Sequence, residues 1–62
     1  MKNYKIGDKV LWHTEDFDGT VTYKAQIVQV REDHAIAVTL ESRPMTLYID
    51  EMSDDEFTIM GR

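Results

Sequence analysis

The chain has 62 residues, with twelve acidic side chains against seven basic ones, a formal net charge of −5 and no cysteine. That length leaves room for one domain, residues 1–62, whose folding hides only about 60% of the unfolded chain's surface, so its stability margin is thin. Disulfides and thiolate metal sites are excluded, and the acid excess runs against binding a phosphate backbone, where affinity comes from basic groups that release counterions.

Asn3 to Ile6 reads as a lead-in and Gly7-Asp8 as a turn. Val10 and Trp12 then alternate with Lys9, Leu11 and His13, which predicts a first strand from Lys9 to Thr14 with Leu11 covered from its own side. Glu15-Asp16-Phe17-Asp18-Gly19 predicts a loop that holds one aromatic among acids and closes on Asp18-Gly19, a pair suited to positive φ. From Thr20 the period is two: Val21, Tyr23, Ala25 and Ile27 are apolar, with Thr22, Lys24 and Gln26 between them. The phase slips at Ile27-Val28, because Val28 and Val30 are apolar and Gln29 is polar; a bulge or sharp bend must absorb the slip, and the reading here is a bend by which one strand serves two sheets. Arg31-Glu32-Asp33-His34 is the turn, with His34 expected to titrate freely, and Ile36, Val38 and Leu40 carry the apolar alternation of the return strand.

Glu41-Ser42-Arg43-Pro44 breaks the pattern, and Met45, Leu47 and Ile49 alternate with Thr46 and Tyr48 in a fourth strand. Homodimerisation through this Met45–Ile49 edge is one possibility that the residues leave open. Ser53 and Glu56 have the spacing of a capping box on one short turn, too short for an α-helix and read as 3₁₀. Phe57 and Ile59 form a short closing strand before Gly61. The fold class is therefore all-β: a small five-stranded, strongly bent antiparallel barrel with one 3₁₀ turn before the last strand. Closure would remove the exposed edges.

At these residues a resemblance emerges. "YKIGDKVLW", "DG" followed by "YKAQIVQV", "AIAVTL" and "LYIDEM" resemble the SH3-like barrels of the Tudor, chromo-barrel and KOW kind over nearly the whole chain. The resemblance implies a barrel that binds other proteins, with aromatics near the first loop boxing a cationic side chain by cation–π attraction. Trp12 and Tyr23 match cage-bearing positions, Phe17 sits in the corresponding loop, and Tyr48 completes the candidate set. The chain departs from the Tudor pattern after the third strand, where Glu41-Ser42-Arg43-Pro44 replaces an aspartate-tyrosine-glycine-asparagine stretch. The plainer account of Trp12 and Tyr23 is that they alternate in phase with core residues and fill the barrel, which leaves Phe17 and Tyr48 as the exposed pair.

A second candidate is the acidic segment Asp50, Glu51, Asp54, Asp55 and Glu56, a docking face for a basic partner or a mimic of a nucleic-acid backbone. Its plainer account is a solvated turn whose acids favour the positive end of a short helix. Catalysis finds no support: there is no serine elbow, no glycine-rich phosphate loop and no histidine with an activating partner. His13 and His34 alone are too few for zinc, although carboxylates could complete a site, "DEMSDDE" lacks the spacing of a calcium loop, and no cofactor is expected. A basic start of Lys2, Lys5 and Lys9, with Lys24, is the weakest candidate, an RNA-contacting patch set against the overall charge.

The expected function is a non-catalytic protein-interaction module whose surface is the rim around the Glu15–Gly19 and Glu41–Pro44 loops. The alternatives are a small acidic inhibitor that blocks a DNA- or RNA-binding protein, and an accessory subunit whose thin core a neighbour completes. The partner would be a protein, with direct nucleic-acid binding disfavoured and the chain a monomer or weak homodimer. No apolar run reaches ten residues, so neither a secretion signal nor a membrane span is expected and the location reads as cytoplasmic.

Overall fold

Alternating side chains and one phase slip determine how the strands stack. The computed structural model describes residues 1–61. It is all-β, with β1 (Lys9–Asp16), β2 (Gly19–Val30), β3 (Ala35–Thr39), β4 (Thr46–Ile49) and β5 (Phe57–Ile59), and a 3₁₀ turn at Asp54–Glu56 immediately before β5. All neighbours are antiparallel, in the order β4-β3-β2-β1-β5. Strand β2 joins the two halves: its residues 19–26 pair with β1, and its residues 25–30 pair with β3.

The phase slip is a β-bulge within one five-stranded sheet, and β2 is not divided between two sheets. Ile27 pairs with Ala37 and Gln29 with Ile36, so Val28 is the extra residue. Without it the alternation that buries Ala25 and Ile27 would turn Val30 outward. The bulge leaves Val28 half exposed and returns Val30 to the core, bending the strand as it does so.

On β3 the apolar alternation of Ile36, Val38 and Leu40 does not mark the buried face. Ala35, Ala37 and Thr39 are buried, whereas Ile36 and Val38 are half-buried on the opposite face and Leu40 is exposed. The reason is room. The inner face of a small bent sheet is crowded at its middle, and Ala35 and Ala37 leave the space that Ile27, Leu47 and Ile49 fill. Thr39 is tolerated there because its hydroxyl accepts from Met45 N at 2.8 Å, and no buried side-chain polar atom lacks a partner among the described residues.

The first loop is shorter than its residues indicate. Asp16 pairs with Gly19, which leaves a two-residue tip, Phe17-Asp18, and puts Glu15 and Asp16 in β1. Phe17 and Asp18 keep negative φ while Gly19 takes φ 113°, a value open to glycine, and Asp18 N donates to Asp16 Oδ1 at 2.8 Å.

The sheet bends strongly but is not closed into a barrel: β4 and β5 are its two free edges. The Asp50–Glu56 segment runs between those edges, and side-chain bonds rather than a strand ladder hold it in place. Asp54 accepts from Lys2 N at 3.1 and 3.2 Å and from the Tyr4 hydroxyl at 2.7 Å, and Lys2 Nζ donates to the Asp54 carbonyl at 2.7 Å. The lead-in is thereby folded over the core, and Tyr4 is buried beside Val10, Ile27, Ile49 and Phe57. The expected capping box does not form. Ser53 Oγ accepts from Asp50 N at 3.1 Å and donates to Asp50 Oδ1 at 3.2 Å, leaving Glu56 free to turn toward Trp12. Among the described residues no helix is long and apolar enough to cross a membrane.

Candidate functional site

Three inward-facing aromatics lie at one level of the sheet. The register pairs Trp12 of β1 with Tyr23 of β2 on one side and with Phe57 of β5 on the other. The Trp12 and Tyr23 ring centroids are 5.6 Å apart at 30°, and those of Trp12 and Phe57 6.4 Å apart at 15°. Such pairs add about 0.5–1.5 kcal/mol each beyond the area they bury. Phe57 is buried, while Trp12 and Tyr23 are half-buried, so the row is core at one end and open at the other. The indole Nε1 donates to Glu56 Oε1 at 3.4 Å, which sets a carboxylate beside the Trp12 ring.

Beyond this row the sheet narrows to two strands. β5 pairs with β1 only up to Trp12, and β3 pairs with β2 only from Ala25 onward. Residues 13–22 therefore form a two-stranded arm with no strand on either side. At its tip Phe17 is fully exposed, flanked by the exposed carboxylates of Glu15, Asp16 and Asp18. The outward side of the arm's root is held by His13, whose ring nitrogens lie 3.2 Å from Thr22 Oγ1 and 2.9 Å from Thr58 Oγ1, linking β1 to both neighbours.

Tyr48 does not join this group. It lies on the outward side of β4 opposite Ile36, itself opposite Gln29 near the far end of β2, and 55% of it is exposed. Its ring stacks on His34 at 4.7 Å, and His34 Nδ1 lies 2.7 Å from Asp33 Oδ1. That hydrogen bond holds the Asp33 carboxyl below its ordinary value. His34 is thus half-buried, with Asp33 and Tyr48 against its ring. The structure brings together Trp12 and Tyr23, adds Glu56 and Phe57 to them, and separates Phe17 from Tyr48.

The acidic segment divides by role. Asp50 Oδ1 accepts from Met52 N and Ser53 N, closing the turn, and Asp54 holds the lead-in. Burial acts to raise the Asp54 carboxyl, but the bonds from Tyr4 and Lys2 N and the charge of Lys2 outweigh it and hold the group below its ordinary value. Glu51, Asp55 and Glu56 are exposed and make no ion pair among the described residues. No cluster of three or more histidine, aspartate or glutamate side chains suited to a metal ion occurs there either. The register that joins Glu56 to Trp12 depends on β5 returning beside β1, which no local pattern in the sequence reveals.

No protein-family model, curated protein sequence or solved structure matches this chain.

Proposed function

We propose that the chain is a non-catalytic protein-interaction module of the SH3-like kind that holds a basic segment of a partner protein along its β1–β2 arm. The observation that carries this reading is the arm itself: a ribbon free of flanking strands, tipped by a fully exposed Phe17 among the carboxylates of Glu15, Asp16 and Asp18. An aromatic ring projecting from a loop tip has the form of the anchors that fill a partner's pocket at interfaces. The half-open Trp12–Tyr23 pair with Glu56 at the root of the arm offers a second anchor for a cationic side chain.

The test is partner capture from host lysate on the immobilised chain, followed by affinity measurements with the captured partner. Phe17→Ala, which removes no buried contact, is expected to weaken that partner about tenfold or more. Asp18→Lys is expected to slow its association and flatten its salt dependence. A partner that both variants bind at full strength would overturn the reading.

The charge-mimic alternative rests on the exposed carboxylates of Glu51, Asp55 and Glu56, none of them in an ion pair among the described residues. It requires a partner released by salt, displaced by DNA or RNA, and weakened by Asp55→Lys rather than Phe17→Ala.

A further inference from the structure

We infer that the outward face of the sheet, across β1 to β4, receives an amphipathic helix of a partner protein whose flanks carry carboxylates. Antiparallel sheets that bury one face ordinarily turn polar side chains outward on the other. Here β3 does the reverse: Ala35 and Ala37 point into the core, and Ile36 and Val38 point out. The register extends this apolar ground on both sides, to Tyr48 opposite Ile36 on β4, to Val28 at the bulge of β2, and to Leu11 opposite Lys24 on β1. Val28 and Tyr48 are each about half exposed, and the lead-in packs on the core side through Tyr4, so no element lies over this face among the described residues. A contiguous apolar surface of this kind marks an interaction site.

Charge selects the flanks of the occupant. Lys9 stands opposite Gln26 and Lys24 opposite Leu11, so the two lysines are diagonal neighbours on this face. Both are exposed and neither is in an ion pair among the described residues. They are the only full charges at the outward positions of β1 to β4 outside the arm, in a chain with twelve acids against seven bases. The carboxylates nearest the face bound its two ends: Glu15 on the arm, and Asp33 bonded to His34 beside Tyr48. Such a surface favours a partner with an acidic rim and rejects one with a basic rim. Backbone pairing selects a helix. At the centre of this face the main chains of β1, β2 and β3 have a neighbouring strand on either side, so a partner strand cannot add there. A helix laid on the flat of a sheet adds a second layer through side chains alone. The row from Ile36 to Leu40 spans about 13 Å, or about two and a half helical turns.

The test is an NMR titration of the isotope-labelled chain with two synthetic helical peptides that share one leucine stripe, flanked by glutamates in one and by lysines in the other. The glutamate peptide should shift the amides of Leu11, Lys24, Ile36 and Val38 and bind this face at least about tenfold tighter than the lysine peptide, although the chain as a whole is acidic. The double variant Lys9→Glu, Lys24→Glu should weaken the glutamate peptide about tenfold and reverse the order of the two. Ile36→Ser should weaken both peptides, with circular dichroism checking that each variant folds. The lysine reversals, at exposed positions, decide the matter even if Ile36→Ser does not fold. The proposal fails if the glutamate peptide causes no shift up to about 1 mM, if its shifts are confined to the Glu15–Gly19 loop, or if the lysine peptide binds the face as tightly. Concentration-dependent shifts on this face without any peptide would also sink it, by assigning the surface to a second copy.

Discussion

Asp54→Ala is expected to lower the unfolding free energy by about 2–3 kcal/mol, a large share of the total for a domain this small. The substitution removes the acceptor of the Lys2 N and Tyr4 hydroxyl bonds at once and leaves a buried tyrosine oxygen facing no partner. For a chain of this size it should appear as a fall of more than about 10 °C in Tm, read by calorimetry or circular dichroism. The same contact gives a pH signature. The Asp54 carboxyl is held below its ordinary value of 3.8, so its contribution is complete above that pH and fades as the pH falls through the lower folded-state value. Burial, aided by the bond to Asp54, raises the Tyr4 hydroxyl above its ordinary 10.0, so stability is also lost as the pH rises beyond that point. Asp54→Asn, scanned from pH 2 to pH 6 by chemical denaturation, should show a shallower acid slope than the native chain. Equal acid slopes would remove Asp54 as the cause.

The second large effect concerns the faces of β3. Ala37→Leu is expected to cost about 3 kcal/mol, enough to leave much of the chain unfolded at 37 °C, because it forces extra carbons into a site with no accessible surface. Its neighbour should behave in the opposite way. Val38→Thr, on the outward face opposite Gln26 and Thr46, should change stability by less than about 0.5 kcal/mol. A scale that ranks sites by the hydrophobicity of the native residue predicts the reverse order. Urea denaturation of the two variants separates the accounts, and a costly Val38→Thr beside a neutral Ala37→Leu would mean that β3 lies the other way up.

The outward-facing side chains of the body of the sheet are largely uncharged. Val28, Ile36, Val38 and Tyr48 lie there, and strands β1 to β4 contribute only Lys9 and Lys24 as full charges among their outward positions below the arm. Carboxylates gather instead on the arm and in the Asp50–Glu56 segment. The acid-free outward face thus lies between two acidic regions, the arm tipped by Phe17 and the segment that follows β4.

The number, order and type of the elements were legible in the residues, because period two is a strong signal wherever one face of a strand is buried. The slip at Val28 announced the bulge, and the single turn before Phe57 announced a 3₁₀ segment. Phe17 and Tyr48 were legible as exposed, and both are. Periodicity does not state which of two alternating sets faces inward. On β3 the sets are Ala35, Ala37, Thr39 and Ile36, Val38, Leu40, and only the crowding of the concave face selects the smaller one. Closure failed for a similar reason: strand patterns count strands but do not say whether the last edge reaches the first, and here the Asp54 clamp takes the place of a ladder. The local chemistry of the chain determined the strands, the turns and the acidic surplus. Contacts between residues dozens of positions apart, Trp12 with Glu56 and Tyr4 with Asp54, were decided by tertiary packing alone, because they depend on where β5 and the lead-in come to rest on the sheet.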